Sequence, residues 1–153
     1  MAVETKEQAH RRSPKIANTI AAMLLRSPLH GMLSNFLLLL TFTGRKSGKP
    51  YSIPVGYGRQ DDTLALFTDN KWYKNLQVNP KVKERLRGKE RRGTSEVILD
   101  DKERTAQEMK HFVSHSKQAA RAYGVTFNAD GSVNQESLRK AAESWVLILV
   151  HLE

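Results

Sequence analysis

Short segments that resemble β-strands follow one another through much of this sequence, and they limit its fold more than any other feature. The apolar run at residues 36–43 suits a strand that is buried on both faces. Residues 81–87 alternate instead between a basic face and a face that holds Val82 and Leu86, as in a strand with one side in water. The remaining strands are expected at residues 51–59, 63–68, 90–99 and 144–151.

Helical patterns flank and interrupt these strands. Asp100 and Asp101 can cap a long helix that reaches about Ala122, because an aspartate oxygen accepts hydrogen bonds from the free amides of a first turn. The other helices are expected at residues 14–26, 71–78 and 134–142.

Six short strands with helices added late in the chain predict an α+β fold. We expect a small, six-stranded, mostly antiparallel barrel with peripheral helices. Pro54 cannot donate to a sheet ladder, so its strand should lie at an edge or carry a bulge. Since 153 residues suffice for one core, we expect residues 14–153 to form a single domain preceded by a flexible basic arm at residues 1–13.

The charge balance favours anionic partners. A net charge of +9 suits nucleotides, nucleic acids, phospholipid heads or acidic coenzymes, and charge alone does not choose among them. The absence of cysteine excludes disulfides and thiolate metal sites, and it is compatible with a cytoplasmic location. No apolar run approaches the roughly 18 to 20 residues that span a bilayer, so we expect no transmembrane helix.

The helix expected at residues 14–26 leaves one question of location open. The first interpretation is an amphipathic helix that lies over the sheet. The second is peripheral attachment to a membrane, with the basic side chains facing lipid phosphates. These side chains are Arg11, Arg12, Lys15 and Arg26.

A basic turn, residues 44–50, stands between the first two strands. Gly44 and Gly48 allow the backbone to turn tightly and to approach a ligand, while Arg45 and Lys46 supply a fork and a point charge for phosphate or carboxylate. The spacing differs from that of a Walker loop, and a strand follows instead of a helix. The turn therefore predicts a site for a phosphate-bearing cofactor.

A second cluster lies in the segment that follows the third strand. Trp72 and Tyr73 offer flat faces for a ring system, and Asn75 offers donors and acceptors for a heterocycle edge or a backbone turn. The alternative is that Trp72 and Leu76, one helical turn apart, belong to the core. Combined with the basic turn, the cluster favours a cofactor.

Side-chain catalysis has little support in this sequence. His111 and His115 are four residues apart on a predicted helix, yet no His-Glu-x-x-His pattern surrounds them, and a helix surface explains the pair. No nucleophile elbow accompanies any serine. We therefore predict no catalytic side chain and no metal site.

Three motifs in order resemble the deazaflavin-dependent nitroreductase and quinone reductase family. They are residues 39–50 (LLTFTGRKSGKP), residues 54–57 (PVGY) and residues 72–82 (WYKNLQVNPKV). The resemblance is strong over about residues 36–86 and looser beyond. It implies a split β-barrel that binds deazaflavin coenzyme F-420 and transfers a hydride to an electron-poor acceptor such as a quinone, a nitroaromatic compound or an enone.

The resemblance also implies which residues bind the coenzyme. Arg45, Lys46 and Ser47 would hold its phosphate and acidic tail. One wall beside the ring would consist of Tyr51, Ser52, Ile53, Pro54 and Val55, and the opposite side would be closed by Thr68, Lys71, Trp72 and Asn75.

Other functions stay open at this point. FMN or FAD could replace the deazaflavin, and the barrel could carry a flavin, a tetrapyrrole or a lipid without turnover. A basic barrel could also bind nucleic acid along a stripe of Lys and Arg side chains. This stripe lacks interleaved aromatic residues, and a solvated sheet face is the favoured interpretation. The stripe comprises Lys81, Lys83, Arg85, Arg87, Lys89, Arg91 and Arg92. Our prediction is a small-molecule acceptor, no nucleic acid, and a monomer or homodimer.

Overall fold

The computed structural model describes residues 37–153, in which one antiparallel sheet of seven strands is accompanied by four helices. The strands are β1 (Leu37–Thr43), β2 (Pro50–Gly56), β3 (Gly58–Gln60), β4 (Thr63–Thr68), β5 (Lys81–Leu86), β6 (Lys89–Ile98) and β7 (Val146–Leu152). The helices are α1 (Tyr73–Val78), α2 (Lys102–Ser114), α3 (Lys117–Tyr123) and α4 (Gln135–Ser144). The expected arm at residues 1–13 and helix at residues 14–26 lie outside the described residues.

The sheet curls so that its two edges approach each other. Its strand order is β2-β1-β5-β6-β7-β4-β3, which puts β2 and β3 at opposite edges. Only Tyr57 separates these two strands along the chain, so the edges must lie side by side and the sheet must roll into a half-barrel. The expected α+β barrel with peripheral helices is confirmed.

The strand count is seven instead of six because the segment predicted at residues 51–59 divides at Tyr57. Its first part pairs with β1 at one edge of the sheet, and its second part pairs with β4 at the opposite edge. Gly58 begins the second part and leaves room for the Phe112 ring of α2, because a Cβ at this position would lie 3.0 Å from Cδ2 of Phe112. Pro54 lies on β2, an edge strand, as the sequence predicted.

Two apolar clusters hold the two faces of the sheet. The inner cluster fills the half-barrel with β1, β4, β5 and β7 side chains such as Leu40, Leu66 and Ile148, each 0% exposed, and α1 adds Leu76. The outer cluster packs Phe67 and Leu147 against α2, α3 and α4. Since β4 contributes to both clusters, it is buried on both faces, as is most of β1.

The long helix predicted to run to about Ala122 is wrong as a continuous element. Asp101 caps α2 as expected, with its side chain accepting from the Arg104 amide at 3.0 Å. The helix ends at Ser114, whose Oγ donates to the Lys110 carbonyl, and α3 begins afresh where the Ser116 side chain accepts from the Ala119 amide. Such local side-chain bonds compete with a helical backbone. They create an elbow at residues 115–116.

The strand predicted at residues 81–87 has the expected two faces. Val82 and Leu86 enter the inner cluster, while Lys81 and Lys83 remain exposed. Glu84 lies on the buried face and is only 3% exposed. Over the part of the chain that the structure describes, no helix has the length and apolar character needed to cross a bilayer.

Candidate functional site

A cavity of about 700 Å³ opens between the β2 edge of the half-barrel and the elbow that joins α2 to α3. Its volume falls within the roughly 300 to 1,000 Å³ of small-molecule sites. Most of its walls are apolar or aromatic, and no Asp, Glu, Lys or Arg from residues 37–153 lines it. A cavity of similar volume, about 680 Å³ between α2 and α4, differs because more than half of its lining residues are charged and none is aromatic.

The strand wall of the cavity consists of Ile53, Pro54, Val55, Gly56 and Tyr57. Within the described sheet β2 pairs with β1 alone, so part of its backbone N–H and C=O groups face away from the ladder. Pro54 removes one donor from this edge. The wall therefore offers apolar side chains together with backbone groups that suit the polar edge of a planar heterocycle.

Stacked rings form the second wall. Trp72 lines the cavity and stacks on Phe42 with centroids 5.4 Å apart, and Phe42 in turn stacks on Tyr51 at 6.1 Å. Across the cavity the Tyr123 ring meets Phe67 at 5.3 Å and Trp145 at 4.7 Å.

Burial raises the pKa of the Tyr123 phenol to about 12, so this wall carries no charge at neutral pH. Burial also raises the pKa of Tyr57 on the strand wall, and the nearby Arg87 and Arg59 offset this only in part. Both phenols therefore remain protonated in the neutral range, and the cavity presents flat, uncharged ring faces.

The basic turn lies beside this cavity and is held in shape by its own backbone. The Gly44 amide donates to the Lys49 carbonyl at 2.8 Å, and the Gly48 amide donates to the Gly44 carbonyl at 2.9 Å. Gly48 has a φ of 69°, which favours glycine. Arg45, Lys46 and Lys49 are exposed, and none forms a salt bridge with any residue in 37–153.

Asn75 ties the turn to the cavity wall. Its Oδ1 accepts from the Arg45 amide at 2.9 Å and from Arg45 Nη1 at 3.2 Å, and its Nδ2 donates to the Trp72 carbonyl at 2.8 Å. The sequence suggested that this amide could bind a heterocycle edge or a backbone turn, and the structure shows it bound to a backbone turn. The position of the cations is thereby coupled to the position of the Trp72 ring.

The structure brings five of the twelve predicted coenzyme residues to the cavity wall. These are Ile53, Pro54, Val55, Thr68 and Trp72. The other seven lie on the turn, on its supports or in neighbouring positions: Arg45, Lys46, Ser47, Tyr51, Ser52, Lys71 and Asn75.

The predicted residues outside the cavity wall have contacts that explain their positions. The Ser52 hydroxyl hydrogen-bonds to Thr41 Oγ1 at 2.8 Å, across the β1–β2 pair. The Ser47 hydroxyl accepts from the Lys49 amide at 3.2 Å and lies 3.3 Å from the Tyr51 hydroxyl. Lys71 is exposed in the bend before α1.

The sequence interpretation missed the helical wall of the cavity. This wall consists of Phe112, His115, Ser116, Gln118, Ala119, Ala122 and Tyr123. Most of these residues recur at spacings of three and four, which is the signal of one helix face, and aromatic residues stand at both of its ends. That face could have been found from its periodicity.

The site fits a molecule with a planar ring system and an anionic tail. Flat ring faces and an edge strand suit the ring, and the adjacent turn offers three cations without acidic partners among the described residues. A deazaflavin with a phosphate and glutamates in its side chain has this composition. The residues present therefore fit the coenzyme.

Solved structures share this fold at low identity. A FAD-binding protein from Mesorhizobium loti is 18% identical, with 83% of this chain and 90% of that chain covered at a TM-score of 0.51. General Stress Protein 26 from Bacillus anthracis str. Sterne is 17% identical, with 76% and 79% covered at 0.50. A chain described as a domain-swapped dimer is 18% identical, with 99% and 98% covered at 0.51. These likenesses show the fold alone.

The family comparison is more specific. No curated protein matched the sequence. The model of the F420H(2)-dependent quinone reductase family matches residues 25–126, well over half of the chain, and this segment includes the basic turn, the strand wall and the elbow. The chain therefore belongs to the F420H(2)-dependent quinone reductase family, whose members are oxidoreductases with the deazaflavin coenzyme F-420 as their cofactor.

Proposed function

We propose that this protein passes electrons from reduced coenzyme F-420 to a small, electron-poor acceptor: a quinone, a nitroaromatic compound or an enone. The observation that carries the proposal is a ring-walled cavity beside a basic turn without acidic partners in residues 37–153. When bound, the reduced coenzyme supplies a hydride from C5 of its deazaflavin ring. The protein's residues bind, orient and shield the reactants.

The basic turn binds the anionic part of the coenzyme. Arg45 can hold two phosphate or carboxylate oxygens with its planar fork, and Lys46 adds a mobile point charge. The Asn75 amide fixes the Arg45 backbone, so less conformational entropy is lost when the tail binds. Ser47 is less available, because its hydroxyl already accepts from the Lys49 amide.

The cavity orients the ring and keeps water away from it. The edge strand β2 places Ile53 and Val55 along one side, and Trp72 closes the other side with a ring that is itself braced by Phe42. The buried rings of Phe67 and Tyr123, 7% and 9% exposed, exclude water from the far wall. A preformed site with a buried far wall shortens the approach between coenzyme and acceptor.

The same cavity favours planar acceptors without charge. A quinone or nitroaromatic compound can stack on ring faces, whereas an ionised substrate would lose its hydration in a cavity without Asp, Glu, Lys or Arg among the described lining residues. This reasoning supports planar, uncharged acceptors as a class and does not favour a quinone, a nitroaromatic compound or an enone over the others.

A fluorescence titration with coenzyme F-420 tests the proposal. Replacing Arg45 and Lys46 together with glutamine should weaken coenzyme binding by about 10- to 100-fold, the effect of losing one or two charge-assisted contacts. Lys89→Gln is the matched control, because Lys89 begins β6 at the end of the sheet opposite the turn and is also exposed. Wild-type protein that leaves the coenzyme fluorescence unchanged at tens of micromolar would refute the proposal.

A further inference from the structure

We propose that His115 donates the proton that the acceptor's oxygen takes during reduction, and that Ser116 and Gln118 complete a polar patch for that oxygen. This inference deepens the proposed function and rests on it. All three residues line the cavity, and all three lie at or just after the elbow between α2 and α3.

Hydrogen bonding fixes which nitrogen of His115 carries out this role. His115 Nδ1 lies 2.8 Å from the His111 carbonyl oxygen, and a carbonyl only accepts, so Nδ1 carries a proton. The second nitrogen, Nε2, is an acceptor in the neutral ring and a donor in the imidazolium. Within residues 37–153 nothing hydrogen-bonds to Nε2, so it is available to a ligand.

His115 is also the residue of the described cavity wall that carries an imidazole, the side chain that serves most often as a proton donor or acceptor at neutral pH. The other titratable groups of the wall are Tyr57 on the strand side and Tyr123 on α3, and burial keeps both phenols protonated there. From α2 the ring of His111 lies 5.0 Å away, and its Nε2 faces Gln60 of β3 at 3.3 Å. The cavity lining from β4 and the β4–α1 bend contributes no charged group.

A separate proton donor is needed because a hydride brings one hydrogen and an electron pair to the acceptor, and the second hydrogen must arrive as a proton. The hydrogen of the hydride forms one new bond to the quinone or enone, negative charge develops on the acceptor's oxygen, and a new O–H bond must form there. The Nε2–H bond of His115 breaks as this O–H bond forms, which leaves a neutral imidazole. The acceptor is reduced by two electrons while the coenzyme is oxidised by two, and the exposed ring of His115 recovers its proton from water.

The position of the elbow explains why these polar groups face the cavity. A continuous helix would leave every amide at residues 115–118 bonded within it, but the break gives Ser116 a capping role and turns the chain at His115. The helical wall is otherwise apolar, with Phe112, Ala119 and Ala122 beside the polar patch. An oxygen-bearing acceptor is therefore directed toward the elbow.

The first experiment measures binding without turnover. Protein saturated with oxidised coenzyme F-420 is titrated with 1,4-naphthoquinone between pH 5 and 8, and tryptophan fluorescence reports the dissociation constant. Wild-type protein should bind about 10-fold more tightly at the acid end, the effect of one hydrogen bond from a charged donor. His115→Asn, whose amide can replace Nδ1 but not Nε2, should bind weakly at every pH. His111→Asn, the matched control, should follow the wild type.

The second experiment separates proton donation from hydrogen bonding. The side chain of His115→Gln can donate a hydrogen bond from about the position of Nε2 but has no proton to give. With oxidised coenzyme it should bind 1,4-naphthoquinone without pH dependence, and with reduced coenzyme it should lose about 100-fold or more in kcat, the usual contribution of a general acid.

The inference would be overturned if either His115 variant kept the wild-type pH dependence of 1,4-naphthoquinone binding and an unchanged kcat. Failure of the proposed function looks different, because it would abolish coenzyme binding in the wild type itself. Circular dichroism of each variant identifies any loss of fold, and His115→Asn guards against that loss by preserving the bond to the His111 carbonyl.

Discussion

Asn75 and Arg45 are joined by two hydrogen bonds, at 2.9 and 3.2 Å, that both end on the same amide oxygen. Asn75→Ala should therefore free the basic turn and weaken binding of coenzyme F-420 by about 10-fold, since each such bond contributes roughly 1 kcal/mol. Asn79→Ala is the control, because Asn79 caps the other end of α1 and its oxygen accepts from the Lys81 amide instead. Equal affinities of the two variants, measured by coenzyme fluorescence, would contradict the coupling.

Gly44 leaves room for the Tyr51 ring. A Cβ at position 44 would lie 2.5 Å from Cε2 of Tyr51, so Gly44→Ala must displace that ring from its stack on Phe42. We expect a loss of about 1 to 3 kcal/mol in the free energy of unfolding, the usual cost of overpacking, measured by urea denaturation.

Two further variants check the cause of that loss. Gly48→Ala meets open space but keeps a φ of 69°, so it should cost only about 1 kcal/mol. Adding Tyr51→Ala to Gly44→Ala should recover part of the stability, because the clash is then absent. A double variant less stable than the sum of both single changes would argue against the steric explanation.

Glu84 makes the stability of the fold depend on pH. Burial raises the pKa of this carboxyl above its ordinary value of 4.5, and the nearby Arg91 and Arg59 offset this only in part. The Oε2 atom is buried without a hydrogen-bond partner. Between the unfolded and the raised folded pKa, the folded state binds more protons, so the free energy of unfolding falls as the pH rises through that window.

Glu84→Gln should remove this loss. Above the window the variant should be about 1 to 3 kcal/mol more stable than the wild type, the cost of an unsatisfied buried polar group, and its urea midpoint should vary less from pH 4 to 8. Glu90→Gln on the exposed side of the same hairpin is the control and should retain the wild-type pH dependence. A Glu84 variant that is less stable than the wild type at pH 8 would show that the charge is compensated.

Ser116 begins α3 and thereby holds the elbow. Ser116→Ala removes the acceptor for the Ala119 amide and should lower the free energy of unfolding by about 1 kcal/mol, the usual value of an N-cap. Ser114→Ala, which loses a bond to the Lys110 carbonyl within α2, should cost less. Faster hydrogen exchange of amides 117–123 in the first variant alone would locate the effect in α3.

Local sequence patterns predicted most of the elements but not how they combine. The alternation through Val82 and Leu86 and the apolar run of β1 gave strands with the correct faces, because period two is a property of the strand itself. Pro54 identified an edge. The division at Tyr57 was missed, since it depends on pairing with β4 and on the approach of Phe112 to Gly58, both distant in sequence.

The candidate site was predicted where its residues lie in a short motif and was missed on the helical wall. The basic turn and Trp72 stand in short motifs, so their residues could be named in advance. The elbow depends on competition between Ser114, His115 and Ser116 and the helix backbone, which helix propensity alone does not resolve. Ser52 bonds to Thr41, whereas Ile53 lines the cavity, and this difference becomes apparent only in the rolled sheet.

The single residue between β2 and β3 makes the two walls of the cavity unequal targets for protein engineering. A change in length at Tyr57 would shift the register of one edge strand or the other, and a shift by one residue exchanges the faces of every side chain on it. The elbow at residues 115–116 has no ladder to maintain. Libraries that aim at new acceptors should therefore diversify Gln118 and its neighbours beside the elbow, keep His115 and Ser116, and leave the strand junction at its native length.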